Sequence, residues 1–194
     1  MTKMDSLAED LQRLRPKLGP LPEPVVEPPF IVLSGLPGTG KSHFCSQLSR
    51  RLPAVVIESD ALRKRLFPHP AYSAEESSYL FGLIHRLSDE LLGKNIPVIL
   101  DATNLSEKNR EYLYNIARRR GARLILVSVE APPAVVQARL EARRAGGRAL
   151  SDADWNVYQK MSETTERITR RHFVADTSRD ISPVLEKIVR EATR

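Results

Sequence analysis

The sequence has no long apolar run and almost no cysteine. No stretch of 18 consecutive apolar residues occurs among its 194 residues, and the amino terminus lacks the layout of a signal peptide. We therefore expect a soluble, cytoplasmic protein with no membrane partner. Cys45 is the only cysteine, which excludes an internal disulfide and fits a reducing compartment.

Neither a metal-binding cluster nor an extreme charge defines a partner for this chain. His69 and His85 have no cysteine or histidine neighbours at the spacing of a zinc site, so we interpret both as incidental. The net charge is +6, and it becomes +7 once residues 1–29, with four basic and five acidic side chains, are set aside. A polyanionic partner is compatible with this surplus, but a bound nucleotide would account for part of it, so charge alone does not establish nucleic-acid binding.

The most informative stretch is a glycine-rich loop at residues 35–42, which follows the apolar run 30–34 and precedes a helical pattern. It has the form G-x-x-x-x-G-K-[ST], in which glycines allow positive φ and let backbone N–H groups converge on a polyphosphate. Lys41 would contact the β- and γ-phosphates, and the Ser42 hydroxyl would coordinate Mg²⁺. We predict an NTP·Mg²⁺ site, with a structural glycine turn as the alternative. The loop residues predicted to bind the nucleotide are Gly35, Gly38, Thr39, Gly40, Lys41 and Ser42.

Polar residues follow the second predicted strand. Residues 54–58 form an apolar run suited to an inner parallel strand, and Asp60 and Arg63 come shortly after it. Because ligands collect at the carboxyl ends of parallel strands, both side chains should face the same crevice as the glycine-rich loop. We favour a functional role for Asp60, with simple capping of the following helix as the alternative.

A third strand, residues 96–101, ends in Asp101. An apolar run that ends in aspartate matches the Walker B pattern, whose carboxylate holds Mg²⁺ or its water shell, so Asp101 is predicted as a metal ligand together with the loop serine. Ala102 occupies the position where many motor-type ATPases carry a water-activating glutamate, which argues against dedicated ATP hydrolysis. Thr103 and Asn104 either cap the next helix or hydrogen-bond the substrate.

An arginine-rich helix is predicted to start at the prolines 132–133. Arg139 and Arg143 lie four residues apart and share one face, where two like charges cost stability unless an anion lies between them. We interpret residues 139–155 as a mobile lid that closes over the phosphates, with hinges at the glycines 146–147. Arg139 would bind the nucleotide and Arg143 would act in catalysis; the alternative is a solvated basic helix.

Residues 1–29 are predicted to form an N-terminal helix and a proline-rich tether. Apolar residues recur at three- and four-residue steps and mark one face of a short helix that Pro16 would end. Six prolines within residues 16–29 favour an extended chain. The helix either docks on its own domain or offers a self- or partner contact through residues 4–15. Its apolar residues are Met4, Leu7, Leu11 and Leu14.

The alternation of strands and helices predicts the fold class. Further strands are expected at residues 122–130 and 173–177, which gives five in all. Five strands separated by helices predict an α/β three-layer sandwich around a mainly parallel sheet. Right-handed crossovers would place all the sites named above along one edge of that sheet. The domain would span residues 30–194 and carry a helical arginine lid.

Taken together, the loop, Asp60-x-x-Arg63, Asp101-x-Thr-Asn104 and the arginine lid resemble the P-loop NTPase superfamily. They resemble in particular the kinase branch that holds the 5′-polynucleotide kinases, the zeta toxins and chloramphenicol phosphotransferase. The likeness covers residues 30–190. It implies a P-loop NTPase fold with ATP and Mg²⁺ as cofactors, Asp60 as general base on an acceptor hydroxyl and Arg63 as a ligand of the acceptor phosphate.

The sequence therefore predicts an ATP-dependent phosphotransferase that moves the γ-phosphoryl group to an alcohol. This reaction needs an in-line hydroxyl, a carboxylate to orient and deprotonate it, and cations for the charge of the transition state. Asp60, Lys41 and Arg143 form the predicted catalytic set, with Arg63, Thr103 and Asn104 as substrate ligands. A polynucleotide 5′-OH is favoured as the acceptor; the alternatives are a sugar, antibiotic or metabolite, or an ATP-dependent binding or regulatory module that has no acceptor.

Overall fold

The computed structural model of the chain describes residues 3–145 and 153–194. The strands are β1 (Pro29–Ser34), β2 (Val55–Glu58), β3 (Val98–Asp101), β4 (Arg123–Glu130) and β5 (Phe173–Asp176). The α-helices are α1 (Lys3–Leu14), α2 (Lys41–Ser49), α3 (Ser59–Leu66), α4 (Ala74–Gly93), α5 (Glu107–Arg120), α6 (Pro133–Ala145), α7 (Trp155–Glu163) and α8 (Ser182–Ala192), and a short 3-10 helix spans Arg15–Leu18. None of the helices within the described ranges is long and apolar enough to cross a bilayer.

The five strands form one sheet in the order β2-β3-β1-β4-β5, and every pairing is parallel. β1 is the central strand, and all its residues are buried, as expected of a parallel strand covered on both faces. Phe30 lies opposite Val98 of β3 and Leu124 of β4, which fixes the register of the three central strands. The carboxyl ends of all five strands therefore meet at one edge of the sheet, where the glycine-rich loop leaves β1.

Helices cover both faces of the sheet and make three layers. Successive residues of β1 point to opposite faces, so Phe30 and Val32 join one core and Ile31 and Leu33 the other. The first core includes buried residues of α1, α4 and α5, and the second is formed with α2 and α8. The predicted three-layer α/β sandwich around a five-stranded parallel sheet is confirmed.

The N-terminal helix packs on its own chain. Leu11 and Leu14 of α1 are buried in the first core, and the Tyr79 hydroxyl of α4 donates a hydrogen bond of 2.8 Å to Asp10. The α-helix ends at Leu14, directly before the 3-10 helix that contains Pro16. Leu11 and Leu14 of α1 are therefore packed within the chain and are not available to a partner.

The starts of two helices exclude capping as the role of three residues for which the sequence had left it open. Ser106, rather than Thr103 or Asn104, caps α5 by accepting a hydrogen bond from the backbone N–H of Asn109. Asp60 lies within the first turn of α3 and is not its cap, because the helix already begins at Ser59. The side chain of Asp60 therefore has no capping role in α3.

Candidate active site

A cavity of about 1050 Å³ opens at the carboxyl edge of the sheet. It receives residues from the glycine-rich loop, from the segments that follow β2, β3 and β5, and from α4, α6 and α7. Most of the predicted site residues lie in its wall: Gly38, Gly40, Lys41, Ser42, Asp60, Arg63, Asp101, Thr103, Arg139 and Arg143. Gly35, Thr39 and Asn104 do not line it. The common edge of a parallel sheet thus brings together chemistry that is spread over more than 100 positions of sequence.

The glycine-rich loop depends on glycine for both its shape and its packing. Gly40 has φ 92°, in the left-handed region, and is the N-cap of α2 without any side-chain capping bond. Gly38 has φ 81°, and a Cβ atom there would lie 2.8 Å from Val136 of α6. The uncapped first turn of α2 leaves backbone N–H groups and the positive end of the helix dipole directed at the cavity, an arrangement suited to an anion.

The wall of the cavity contains a cation, a hydroxyl and a carboxylate that can serve a nucleotide: Lys41, Ser42 and Asp101. The Lys41 ammonium donates a hydrogen bond of 2.9 Å to the Leu36 carbonyl oxygen, so the side chain folds back over the loop. Burial lowers the pKa of Lys41, and the carboxylates of Asp101 and Asp60 oppose that shift. Burial raises the pKa of Asp101, and Lys41 and a hydrogen bond from the Ser42 hydroxyl partly offset the rise.

These residues fit a nucleotide with Mg²⁺. Hydroxyl and carboxylate oxygens are the hard donors that Mg²⁺ takes in protein sites, and Ser42 and Asp101 line the same cavity. The loop amides and Lys41 supply donors and positive charge for the phosphates. The predicted division of labour is compatible with this placement and stays a prediction.

Asp60 and Arg63 both reach the cavity from α3, but they differ in whether their side chains already have partners. Asp60 is half-buried, and no hydrogen bond or salt bridge holds its side chain among the described residues. Arg63 is buried, and its guanidinium bonds to Glu76 at 3.4 Å and to the Ser77 hydroxyl at 3.1 Å. The Tyr72 ring lies over the same guanidinium, 5.0 Å from its carbon to the ring centroid. Asp60 is thus available to a ligand, whereas Arg63 is already paired.

Asn104 is not at the cavity. Its side chain is 1% exposed, and its amide nitrogen donates to the backbone oxygen of Leu33 at 2.7 Å. The residue has φ 47°, and its carbonyl oxygen accepts from the Ser34 hydroxyl and from Arg110. Asn104 therefore ties the end of β1 to the segment after β3, while its neighbour Thr103 faces the cavity. The predicted substrate contact of Asn104 does not fit this placement.

The arginines of α6 approach the loop from the other side. Arg139 donates to the hydroxyl and the backbone oxygen of Thr177, both at 2.8 Å, and to the Gly38 oxygen at 3.5 Å. The Thr177 hydroxyl in turn donates to the Thr39 oxygen at 2.6 Å. Arg143 lies one turn further along α6, lines the cavity and is close enough to Lys41 to lower the pKa of the ammonium. The remaining part of the predicted lid, residues 146–152, lies outside the described residues.

Several cavity residues escaped the sequence reasoning. Thr177 directly follows β5 at the ligand-binding edge, so the rule that selected Asp60 would also have found it. Glu58, the last residue of β2, is half-buried in the wall, and burial together with the nearby Asp101 raises its pKa. Tyr72 belongs to an irregular loop, and no periodic pattern marks it. The apolar cavity residues of α7, Val157 and Met161, have the same spacing as ordinary core residues.

Comparison with known proteins places this site in a family. A family model described as AAA domain matches residues 30–168. The L-seryl-tRNA(Sec) kinase of Methanococcus maripaludis is 25% identical over 136 residues, which cover 68% of this chain and 51% of that protein. The chain thus spans about half the length of this curated relative.

Two solved structures show the same fold. Chaetomium thermophilum Kti12 in complex with ADP-AlF3 has a TM-score of 0.68 at 22% identity, covering 84% of this chain and 99% of that chain. Mycobacterium tuberculosis APS kinase CysC in complex with AMPPNP and APS has a TM-score of 0.63 at 20% identity, covering 89% of this chain and 100% of that chain. The fold is that of the P-loop NTPase kinases, and the chain belongs to the AAA domain family. These matches do not single out the polynucleotide 5′-kinase branch.

Proposed function

We propose that this member of the AAA domain family is an ATP-dependent kinase that transfers the γ-phosphoryl group of ATP to a hydroxyl acceptor. The observation that carries the proposal is that the Asp60 carboxylate, which has no hydrogen bond or salt bridge to any residue that the structure describes, lines the same cavity as Lys41, Ser42 and Asp101. The fold alone would support many functions, so the proposal depends on this combination of a phosphate-binding loop with a carboxylate outside it.

The nucleotide would lie along the loop and the start of α2. In this proposal the loop amides and Lys41 bind the phosphates, and Arg139 completes the binding surface from α6. Ser42 and Asp101 would hold Mg²⁺, which when bound supplies positive charge to the β- and γ-phosphate oxygens. Two structures of the same fold contain AMPPNP or ADP-AlF3, which supports an adenine nucleotide as the ligand of the loop.

Asp60 would act on the acceptor. Its carboxylate would orient the hydroxyl in line with the γ-phosphorus and take its proton as the new P–O bond forms and the bond to the ADP oxygen breaks. Lys41 and Arg143 would stabilise the charge that spreads over the transferred group. Ala102, next to Asp101 in the cavity wall, offers no base for water at that point, which favours transfer over hydrolysis.

Two classes of acceptor agree with these features. A nucleic-acid 5′-OH is supported by the surplus of positive charge. The name of one relative indicates a kinase that acts on seryl-tRNA, which supports an acceptor that contains nucleic acid but not a 5′-OH in particular. A small molecule is supported by APS kinase, whose solved complex contains APS, on the same fold. A regulatory module that only binds ATP would instead show nucleotide binding without transfer to any acceptor.

Substitution of Asp60 by Asn tests the catalytic assignment. The variant should bind ATP with unchanged affinity, because Asp60 lies outside the loop, and should lose transfer by about 10²–10⁴-fold if the carboxylate is the general base. Glu58→Gln is the matched control, because Glu58 is a second carboxylate in the same wall. Transfer is measured with γ-labelled ATP and affinity by calorimetry. Full activity in Asp60→Asn would refute the role, and selective loss in Glu58→Gln would move it to Glu58.

A further inference from the structure

The acceptor end of the cavity differs in charge from the nucleotide end. We define the acceptor side by six of the residues that line the cavity, which are Arg63, Tyr72, Ser77, Phe81, Val157 and Met161. They belong to α3, to the loop before α4, to α4 itself and to α7. The other lysine and arginines that line the cavity in the described part of the chain are Lys41, Arg139 and Arg143, and they lie on the glycine-rich loop or α6.

Arg63 is the one lysine or arginine among these acceptor-side residues, and its charge is already matched. Its side chain is 9% exposed and forms a salt bridge of 3.4 Å with Glu76, whose side chain is 16% exposed. A second bond joins it to Ser77, and the Tyr72 ring covers its face. An incoming phosphate would have to compete with the Glu76 carboxylate in a poorly solvated place, where separating an ion pair is unfavourable.

Glu76 also holds the residue that covers Arg63. Its carboxylate accepts hydrogen bonds from the backbone N–H groups of Ala71 at 2.9 Å and Tyr72 at 2.8 Å. Tyr72 has φ 54°, an unfavourable conformation for a bulky residue, so these bonds keep the loop in a conformation that it would not otherwise prefer. Tyr72 lines the cavity and is 46% exposed. The bonds from Glu76 therefore hold this residue in place before any ligand binds.

We propose that the acceptor hydroxyl is carried on an uncharged, partly apolar molecule that packs against Tyr72, Phe81, Val157 and Met161. This inference rests on the proposed kinase function and specifies its substrate class. Arg63 serves as a positioning residue that holds Tyr72 and Glu76, and not as a ligand for an acceptor phosphate. An acceptor with a phosphate near its reactive hydroxyl, such as a polynucleotide end, is correspondingly disfavoured.

Matched acceptor pairs test this proposal. Adenosine and adenosine 3′-monophosphate, or thymidine and its 3′-monophosphate, share a 5′-OH and differ in one phosphate; uncharged aromatic and aliphatic alcohols and a 5′-OH hexanucleotide complete the panel. The full chain is assayed for transfer from labelled ATP, and calorimetry measures acceptor binding to the AMPPNP-bound protein. We expect kcat/KM and affinity at least tenfold higher for the uncharged member of a pair. Equal or better use of the phosphorylated member, or no binding of any uncharged alcohol, overturns the proposal.

Variants add a readout that general damage to the fold would not give. Tyr72→Ala should raise KM for the uncharged acceptor about tenfold and leave KM for ATP unchanged. Tyr112→Ala is the matched control, since Tyr112 is a similarly exposed tyrosine, 52% exposed, on α5 outside the cavity. Glu76→Gln removes the charge that neutralises Arg63 and should shift preference toward the phosphorylated member. An unchanged preference in Glu76→Gln would contradict the role of the ion pair.

The two levels of the hypothesis fail in different ways. If the panel receives no phosphate but uncharged alcohols bind the AMPPNP-bound protein through Tyr72, the kinase function is wrong and the assigned chemistry of the acceptor side stands. If transfer occurs with preference for phosphorylated acceptors, the kinase function stands and this inference is wrong.

Discussion

Gly38 offers the sharpest test of how the loop and α6 fit together. Its φ of 81° lies in the left-handed region, and a Cβ atom would lie 2.8 Å from Val136 Cγ1 and 3.0 Å from Leu140 Cγ. Both neighbours are buried, at 0% and 4% exposure, so neither side chain has free space into which to turn. Gly38→Ala should therefore strain the loop backbone and push α6 away from the loop.

The expected loss of stability has two parts. A left-handed conformation costs a residue with a Cβ about 1–2 kcal/mol, and overpacking of a close-packed contact costs about 1–3 kcal/mol. Together they predict a decrease of about 2–5 kcal/mol in the free energy of unfolding, which corresponds to about 4–20 °C in Tm for a chain of this size. Nucleotide affinity should fall as well, because the displaced helix carries Arg139.

Two other glycines separate these parts. Gly121 has φ 63°, and a Cβ atom there would meet nothing within 4 Å, so Gly121→Ala should show the backbone cost alone, about 1–2 kcal/mol. Gly82 lies in the middle of α4 with open space around it, so Gly82→Ala should gain about 0.5–1 kcal/mol. The difference between Gly38→Ala and Gly121→Ala then measures the contact with α6.

Denaturant unfolding and nucleotide calorimetry of the three variants give the answer. In a Val136→Ala background, Gly38→Ala should cost less than in the wild type, because the nearest atom has been removed, while the contact with Leu140 Cγ at 3.0 Å remains. If Gly38→Ala costs no more than Gly121→Ala, or if Val136→Ala fails to relieve it, α6 does not rest on the loop as described.

Three further substitutions test stability. Asn104→Ala should cost about 1–3 kcal/mol, because a buried carbonyl at the end of β1 loses its partner, and should leave nucleotide affinity unchanged. Leu14→Ala should cost about 2–4 kcal/mol, because the side chain is 1% exposed within the core. Asp89→Asn should cost about 1 kcal/mol at pH 7. Bonds from Arg120 and Arg119 lower the pKa of Asp89 from 3.8 to about 2. The difference in stability between the wild type and this variant should therefore shrink as the pH falls from about 4 towards 2.

Each of these has a result that would contradict its reasoning. Unchanged stability with lost transfer in Asn104→Ala would restore a substrate role for that residue. Leu21→Ala, at an exposed leucine of the proline-rich segment, is the control for Leu14→Ala and should be close to neutral. A stability difference between the wild type and Asp89→Asn that persists at pH 2 would show that the carboxylate charge is not its cause.

The sheet and the phosphate-binding loop could be predicted because their signals are local. A buried parallel strand is apolar along its length, and a glycine-rich turn followed by Lys41-Ser42 has few structural explanations. Because ligands collect at the carboxyl ends of parallel strands, Asp60 and Asp101 could be predicted to lie in the cavity without any knowledge of distances. Thr177 follows β5 at the same edge and lines the same cavity, so its position obeys the same rule.

The state of a polar side chain could not be predicted in the same way. Arg63 was expected to be free for a phosphate, but its partner Glu76 lies 13 positions away on a different helix. The spacing of Asp60 and Arg63 fixes only that both can reach one crevice, and says nothing about which of them is already paired. Charge in a site is a property of the folded environment, so identical motifs can present a free or a neutralised guanidinium.

Hydrogen bonds to backbone carbonyl groups explain the remaining differences between the sequence prediction and the structure. Arg110 is 1% exposed and donates to the carbonyl oxygens of Asn104, Glu166 and Arg167, which joins the segment after β3 to the segment after α7. The N–H of Glu166 closes the same junction on the Leu105 oxygen. Because every residue carries the same carbonyl group, no sequence pattern announces such a junction. This junction nevertheless fixes the segment directly after α7, the helix that carries Val157 and Met161. The wall of the acceptor side therefore depends on backbone contacts that composition and periodicity do not reveal.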